Sequence, residues 1–352
     1  MSSPELKKPP PRITSTAEFA RYVGLARTTV SRVLNEQPGL KPSTIERVQR
    51  ALTETGFTPN AHATLLKGKG TSSVGICLEN LLTPTILLKL AALQQQLRAL
   101  GYTSLIEVYA HGESRTILRH FLSMRVEGVV FIGHFDPAEL EARIRELTGH
   151  KIPHLVIDHH GIAHANTVTL DRAQAMAGLV DHLLDLGHRS FGLLGIPLEH
   201  PSRLERIHGI RAALAARGLD LQACARSFDA QCPRVHDFEF GQTLVPRFLE
   251  LKQPPTAFLA LNDEIAIGAM RALQDAGIAI PGQVSVTGFN NQDICTMMAP
   301  ALTTVDQQIE PTIKMAMQVL TQHLRNGMPA RPVLRTITPQ LILRQSTGRV
   351  TA

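Results

Sequence analysis

Arg27, Thr28, Ser31, Arg32 and Asn35 fall within nine residues of one another, interleaved with Val30 and Val33. On a helix the two valines turn to one side, leaving the polar groups to face away from it. An arginine reads the O6 and N7 atoms of guanine bidentately, and a threonine meets the methyl group of thymine. Ser31 and Asn35 suit phosphate contacts, which fix register without carrying sequence information. This is the chemistry of reading duplex DNA. A second cluster, His154, Asp158, His159, His160 and His164, holds side chains that ligate metals, but with no second cluster beside it the loop reads as the polar rim of a cleft. The cysteines, Cys77, Cys224, Cys232 and Cys295, form no CxxC pair and read as small buried hydrophobes. No GxGxxG follows the first strand, and P-loop, GxSxG and HExxH patterns are all lacking. The sequence therefore reads as a non-enzyme with no cofactor.

The elements that must position the DNA-reading residues lie around them. Ser15 is a suitable N-cap for a first helix, and Gly24 interrupts its pattern as the turn of a helix-turn-helix requires. The second helix is predicted from about Arg27 to Asn35. A third is opened either by Pro42 at an early position or by Ser43 and Glu46 as a capping box. Charge agrees with this placement. The chain of 352 residues carries a net charge of +6, and residues 1–70, with 11 basic and 5 acidic residues, hold all of the excess. A basic head on a neutral body points to a nucleic-acid module joined to something else.

The run from Ala20 to Asn35, with Gly56-Phe57-Thr58-Pro59-Asn60 after the third helix, closely resembles the head of LacI/GalR-family transcription regulators. The resemblance implies base reading by Arg27, Thr28 and Arg32 and backbone contacts by Thr29, Ser31 and Asn35. Two caps depart from the family pattern, because Ala26 and Lys41 stand where serine is usual. Residues 61–71, with Ala63 and Leu66 at DNA-contacting positions, resemble the family's hinge helix. Leu66 sits where the family inserts an apolar wedge into the minor groove, a device that kinks DNA.

Beyond Ser72, short apolar runs alternate with helical periods. Strands are predicted at Val74–Leu78, Thr103–Val108, Gly128–Ile132 and His154–Ile157, with a helix over Leu87–Leu100. A second series has helices over Ala173–Leu186, Arg203–Arg217, Phe238–Leu251 and Glu264–Ala276, and strands at Ser190–Leu194, Ala257–Ala260 and Val284–Gly288. Such alternation builds parallel sheets covered by helices on both faces. The expected fold is a small all-α helix-turn-helix head plus an α/β core of two doubly wound subdomains, which the family resemblance implies are periplasmic-binding-protein-like. The expected domains are a tail (1–14), the head (15–60), the hinge (61–71) and the core (72–352), with crossovers near 168 and 300.

The core also resembles the family, through Asn166–Asp171, His182–Arg189, Pro255–Asp263, Val284–Asn291 and Leu302–Val305. By position this implies an effector site containing Asp158, Arg206, Asn262, Asn290 and Gln307. Asn290 stands where the family often has aspartate, and Thr83-Pro84-Thr85-Ile86 replaces its Asn-Pro-aromatic-aromatic segment. Phe228, Phe238, Phe240 and Phe289 are candidates to supply the missing platform. A neutral hexose and a phosphorylated or acidic metabolite both remain open as effectors.

The resemblance implies a regulator, most simply a repressor, that binds a near-palindromic double-stranded operator and responds to a small molecule. Inducer and corepressor are equally compatible with it. The alternative is a solute-binding sensor without operator specificity. No heptad tail follows Thr347, so a homodimer is expected. No apolar run of 18 residues and no secretory h-region occur, which points to a cytoplasmic, nucleoid-associated protein without membrane contact.

Overall fold

The computed structural model describes residues 13–34, 37–57, 72–109, 113–159, 161–162, 164–196, 204–229, 236–329 and 331–350. Two compact units are present, Met1–Thr71 and Ser72–Ala352, and each is described by itself.

The first unit holds three helices, α1 (Thr16–Val23), α2 (Arg27–Leu34) and α3 (Pro42–Thr55). The Ser15 hydroxyl accepts from the Glu18 N–H at 3.2 Å, and α1 ends on Gly24 in the left-handed region (φ 68°). Of the two possible openings for α3, the proline is the one used: Pro42 is at the first turn and Lys41 makes no side-chain cap. Phe19, Val30 and Val48 are completely buried, and the Phe57 ring stacks on Phe19 at 4.7 Å between centroids. The third helix is thus tied to the first beyond its own C-terminus, and the valines of α2 are turned into this core.

In the second unit, one parallel sheet contains β1 (Ser73–Leu78), β2 (Thr103–Val108), β3 (Gly128–Ile132), β4 (His154–Ile157), β5 (Thr167–Leu170) and β11 (Leu334–Ile337), in the order β11-β5-β4-β3-β1-β2. Its faces are covered by α4 (Pro84–Ala99) and α13 (Ile309–Asn326) on one side and by α5 (Ser114–Ser123) and α6 (Pro137–Gly149) on the other. The second sheet, β7-β6-β8-β9, is also parallel and consists of β6 (Phe191–Leu194), β7 (Ala225–Ser227), β8 (Ala257–Ala260) and β9 (Ser285–Thr287). Around it pack α7 (Arg172–Asp185), α8 (Leu204–Ala216), α9 (Leu221–Cys224), α10 (Asp237–Leu249), α11 (Asp263–Asp275) and α12 (Ile294–Met297). The chain passes between the subdomains after β5, at β10 (Thr304–Asp306) and again after β11. There β12 (Gln340–Ile342) pairs antiparallel with β10, a third crossing with no counterpart among the sequence expectations.

Helices α5, α6, α9, α12 and α13 and strands β5, β7, β10, β11 and β12 add to the predicted set. The helix expected from Leu87 starts three residues earlier, because Pro84 is acceptable at a first turn. Two helix pairs in the second subdomain approach at backbone distance. A Cβ added to Gly209 would lie 2.0 Å from the Ala173 carbonyl oxygen. One added to Gly268 would lie 1.9 Å from that of Phe238. Gly268→Ala is therefore expected to lower stability by about 1–3 kcal/mol, an overpacking cost. Gly178→Ala, within α7 and with open space beside it, should raise stability by about 0.5–1 kcal/mol. Urea midpoints of the two variants measure both signs.

Candidate functional site

On α2, Arg27, Thr28 and Arg32 are exposed, Thr29 and Ser31 are half-buried, and Val30 and Val33 are buried. The helix presents two guanidinium groups on its free side. One of them, that of Arg32, donates to the Pro38 carbonyl at 3.1 Å, which ties it to the loop that follows the helix. Ala26 provides no hydroxyl to cap α2, in keeping with the sequence. Asn35, Ala63 and Leu66 lie outside the described residues.

The core has a cleft of about 660 Å³ at the carboxyl ends of both sheets, the place where open α/β sheets take ligands. Asp158, Arg206, Asn262, Asn290 and Gln307 all line it. Five residues spread over 150 positions of sequence are thus brought to one cavity. Asp158 follows β4 directly and adopts φ 71°. Its Oδ1 accepts from Arg172 at 3.1 Å, and its Oδ2 accepts from the Lys89 ammonium. Lys89, on α4, also donates to Gln307 Oε1 at 2.8 Å, and Gln307 in turn donates through Nε2 to Asn290 Oδ1. One continuous relay therefore runs from Arg172 on the second subdomain, through Asp158 and Lys89 on the first, to Gln307 at the crossover and Asn290 beyond β9. Burial alone would push the Asp158 carboxyl up. Lys89 and Arg172 more than reverse that and hold it far below the usual carboxylate range. Burial pulls the Lys89 ammonium down, while the Asp158 charge opposes the shift.

The opposite wall has its own arrangement. The Arg206 guanidinium lies 3.9 Å over the Phe289 ring, a cation–π seat that fixes its plane. Asn262 caps α11, its Oδ1 accepting from the Ile265 N–H at 2.9 Å, and its Nδ2 donates to Asp237. Asn262 therefore acts first as a positioner of Asp237 at the mouth of the cleft. Asn290 accepts from Gln307, so what it has to offer a ligand is an N–H donor, whereas an aspartate would offer only acceptors. Glu264 also lines the cleft. Burial pushes its carboxyl up, and the nearby Asp237 charge adds to the shift. Of the four phenylalanines considered for a platform, only Phe238 lines the cleft, half-exposed at 40%. Phe289 is entirely buried beneath Arg206, Phe240 belongs to the core, and Phe228 packs edge-on against Phe248.

Lys89 and Arg172 escaped the sequence reading. The signal for Lys89 was present: Ile86, Lys89, Leu93 and Leu97 form the buried stripe of α4, so a lysine occupies an apolar position. The histidine-rich loop gathers no metal site. His154 is buried against the Ile152 carbonyl, His159 bonds the Phe135 carbonyl, and no three ligating side chains converge among the described residues. His160 lies outside them.

A helix-turn-helix head joined to a cleft-bearing core of two subdomains defines a DNA-binding regulator with a ligand sensor. Two family models match in tandem: bacterial regulatory proteins of the lacI family over residues 17–60, and a periplasmic binding protein-like domain over residues 180–347. Catabolite control protein A of Priestia megaterium is 27% identical over 336 residues, which cover 94% of this chain and 98% of that one. The HTH-type transcriptional regulator AscG of Escherichia coli (strain K12) is 28% identical over 339 residues, covering 95% and 98%. The structure of the lac repressor dimer bound to operator and the anti-inducer ONPF matches with a TM-score of 0.82 at 24% identity, covering 95% of this chain and 99% of that one. Residues 17–60 thus carry a lacI-family DNA-binding domain and the core a periplasmic binding protein-like domain, the make-up of a LacI-family transcription regulator.

The pH response of Asp158 follows from its depressed pKa. Its stabilising contribution is complete above the unfolded carboxylate value of about 4 and is lost as pH falls towards the folded value. Asp158→Asn leaves a buried lysine without its counter-ion and is expected to cost about 3–5 kcal/mol at neutral pH. Denaturation midpoints of wild type and variant should converge as the pH is lowered below about 4.

Proposed function

We propose that the protein is an effector-controlled repressor that binds a near-palindromic operator as a homodimer. The observation that carries this reading is the outward face of α2, where Arg27, Thr28 and Arg32 are exposed on a helix whose valines are locked into the head core. A helix so presented enters the major groove, and a dimer places two of them over successive half-sites. Thr29, Ser31 and Asn35 serve the phosphate backbone, and Ala63 and Leu66 of the hinge contact the minor groove. The cleft takes a small metabolite through Asp158, Arg206, Asn262, Asn290 and Gln307, and its occupancy is coupled to the DNA affinity of the heads. Coupling of this kind is reciprocal, so operator and inducer weaken each other by the same factor.

Dimer formation is supported by apolar surface at the start of α4. Leu87 and Leu88 are exposed on the helix, and Leu81 and Leu82 are exposed just before it, Leu82 at 91%. A second copy of the chain is the occupant that suits such a face, since the relative bound to operator is itself described as a dimer. The protein acts in the cytoplasm, at the nucleoid. No helix among the described residues is long and apolar enough to cross a membrane.

Selection of duplexes from a random pool by the full-length protein tests the reading. A two-half-site near-palindrome is expected, and enrichment of no sequence would overturn it. On the selected site, Arg32→Ala should cost about 1–3 kcal/mol and relax preference at one base pair per half-site. The double variant Leu87→Lys, Leu88→Lys should sediment as a monomer and lose at least tenfold in operator affinity.

A further inference from the structure

We propose that Arg47 on α3 is a phosphate-gripping residue of the head, carried to the turn between α1 and α2 to bind the DNA backbone where α2 enters the groove. This rests on the reading of α2 as the helix that enters DNA. It begins from a deficit at the turn. Gly24-Leu25-Ala26 holds no polar side chain. In a helix-turn-helix the first helix crosses the backbone, and the N-terminal residues of the second reach base edges. The turn between them passes the phosphates that border the groove, and its own side chains offer them no donor.

Arg47 fills that gap from a different helix. A Cβ built on Gly24 would lie 2.8 Å from the Arg47 Nη2 and 3.9 Å from its Cζ. The guanidinium therefore rests against the turn itself. Glycine is needed at position 24 twice over, for the left-handed end of α1 and for the space that the guanidinium occupies. The arginine is held there by the packing of α3. Val48 and Ala51 are buried in the head core, and Phe57, just beyond the helix, stacks on Phe19 of α1.

Its charge is not consumed within the protein. One turn to either side of Arg47 on the helix stand Ser43, Thr44, Arg50 and Ala51, with no carboxylate among them. Arg47 is exposed and makes no ion pair or hydrogen bond among the described residues. Two acids of the head are engaged elsewhere: Glu18 accepts from the Thr14 N–H and hydroxyl, and Glu54 accepts from the Tyr22 hydroxyl at 3.4 Å. A planar guanidinium meets phosphate oxygens in pairs. Phosphate contacts fix register and carry no sequence information, so Arg47 seats α2 and leaves base reading to that helix.

The test is the salt dependence of DNA binding by the full-length protein, on the selected operator and on an unrelated duplex. Each phosphate contact contributes about 0.9 to the slope of log K against log salt. Arg47→Gln is expected to lower the slope by about that amount per head and to weaken binding by roughly tenfold at physiological salt, while the base preference at every position stays as in wild type. Arg47→Lys keeps the charge, so it should keep the slope and lose only part of the affinity. Arg50→Gln removes the same charge one turn along α3 and should change the slope less than half as much.

A wild-type slope in Arg47→Gln would overturn the inference, because a guanidinium that only packs on the turn changes the urea midpoint and not the slope. Equal changes in the Arg47 and Arg50 variants would overturn it too, by reducing the effect to net charge, as would an altered base preference, which would make Arg47 a reader of sequence. Should the wild type enrich no operator, the operator reading fails by itself. The slopes on the unrelated duplex then still decide for or against Arg47, since a phosphate contact is independent of sequence.

Discussion

The core turns on one buried carboxylate shared between two cations. Asp158 stands at the end of a central strand of the first sheet, Arg172 opens the first helix of the second subdomain, and Lys89 lies on the helix whose other side exposes Leu87 and Leu88. Removing such an ion pair from water is costly, and it is tolerated only where geometry is good and the remaining hydrogen-bonding capacity is used. Gln307 and Asn290 use it. A group placed in the cleft therefore meets a network already connected to both subdomains and to the proposed dimer face.

The relay also clarifies what can move. Covalent connection between the subdomains is limited to the three crossings, after β5, at β10 and after β11, and the short β10–β12 ribbon joins two of them. Near that ribbon lies Asp263, a completely buried carboxylate that forms no ion pair among the described residues. It is held by the Gln292 N–H and the Thr304 hydroxyl, and burial pushes its pKa up. Thr304 belongs to the crossing strand and Gln292 to the cleft lining, so this acid anchors the passage between subdomains to the cleft wall. The second subdomain itself is stiff, since Gly209 and Gly268 let helix backbones touch.

Most of the fold was legible because its signals are local. Val30 and Val33 gave the inner face of α2, Gly24 its preceding turn, and the β-rich runs most of the central strands. The five cleft residues were placed by resemblance to the family, and their arrival in one cavity depends on sheet order, which no local pattern contains. Lys89 marks the limit. Helical periodicity put it on a buried stripe, but the partner that makes burial tolerable is 69 positions away, and without Asp158 the lysine reads as a surface residue in an apolar stretch. Strands β11 and β12 were missed for a related reason: Leu334–Ile337 and Gln340–Ile342 are half polar and largely exposed, so their pairing with β5 and β10 is written in topology and not in hydropathy.

The last residues of the core have a bearing on how the molecule is made. The Ser346 carbonyl accepts from the Val286 N–H and its hydroxyl donates to the Val286 carbonyl. His188 reaches the Gly348 carbonyl, and the Val350 N–H reaches Leu186. The segment that seals the second sheet is thus made after the head, which is closed by contacts within residues 13–57. Domains fold as they emerge, so during each round of synthesis a finished DNA-reading head precedes its unfinished sensor. An interrupted chain would carry a DNA-reading head without a completed cleft.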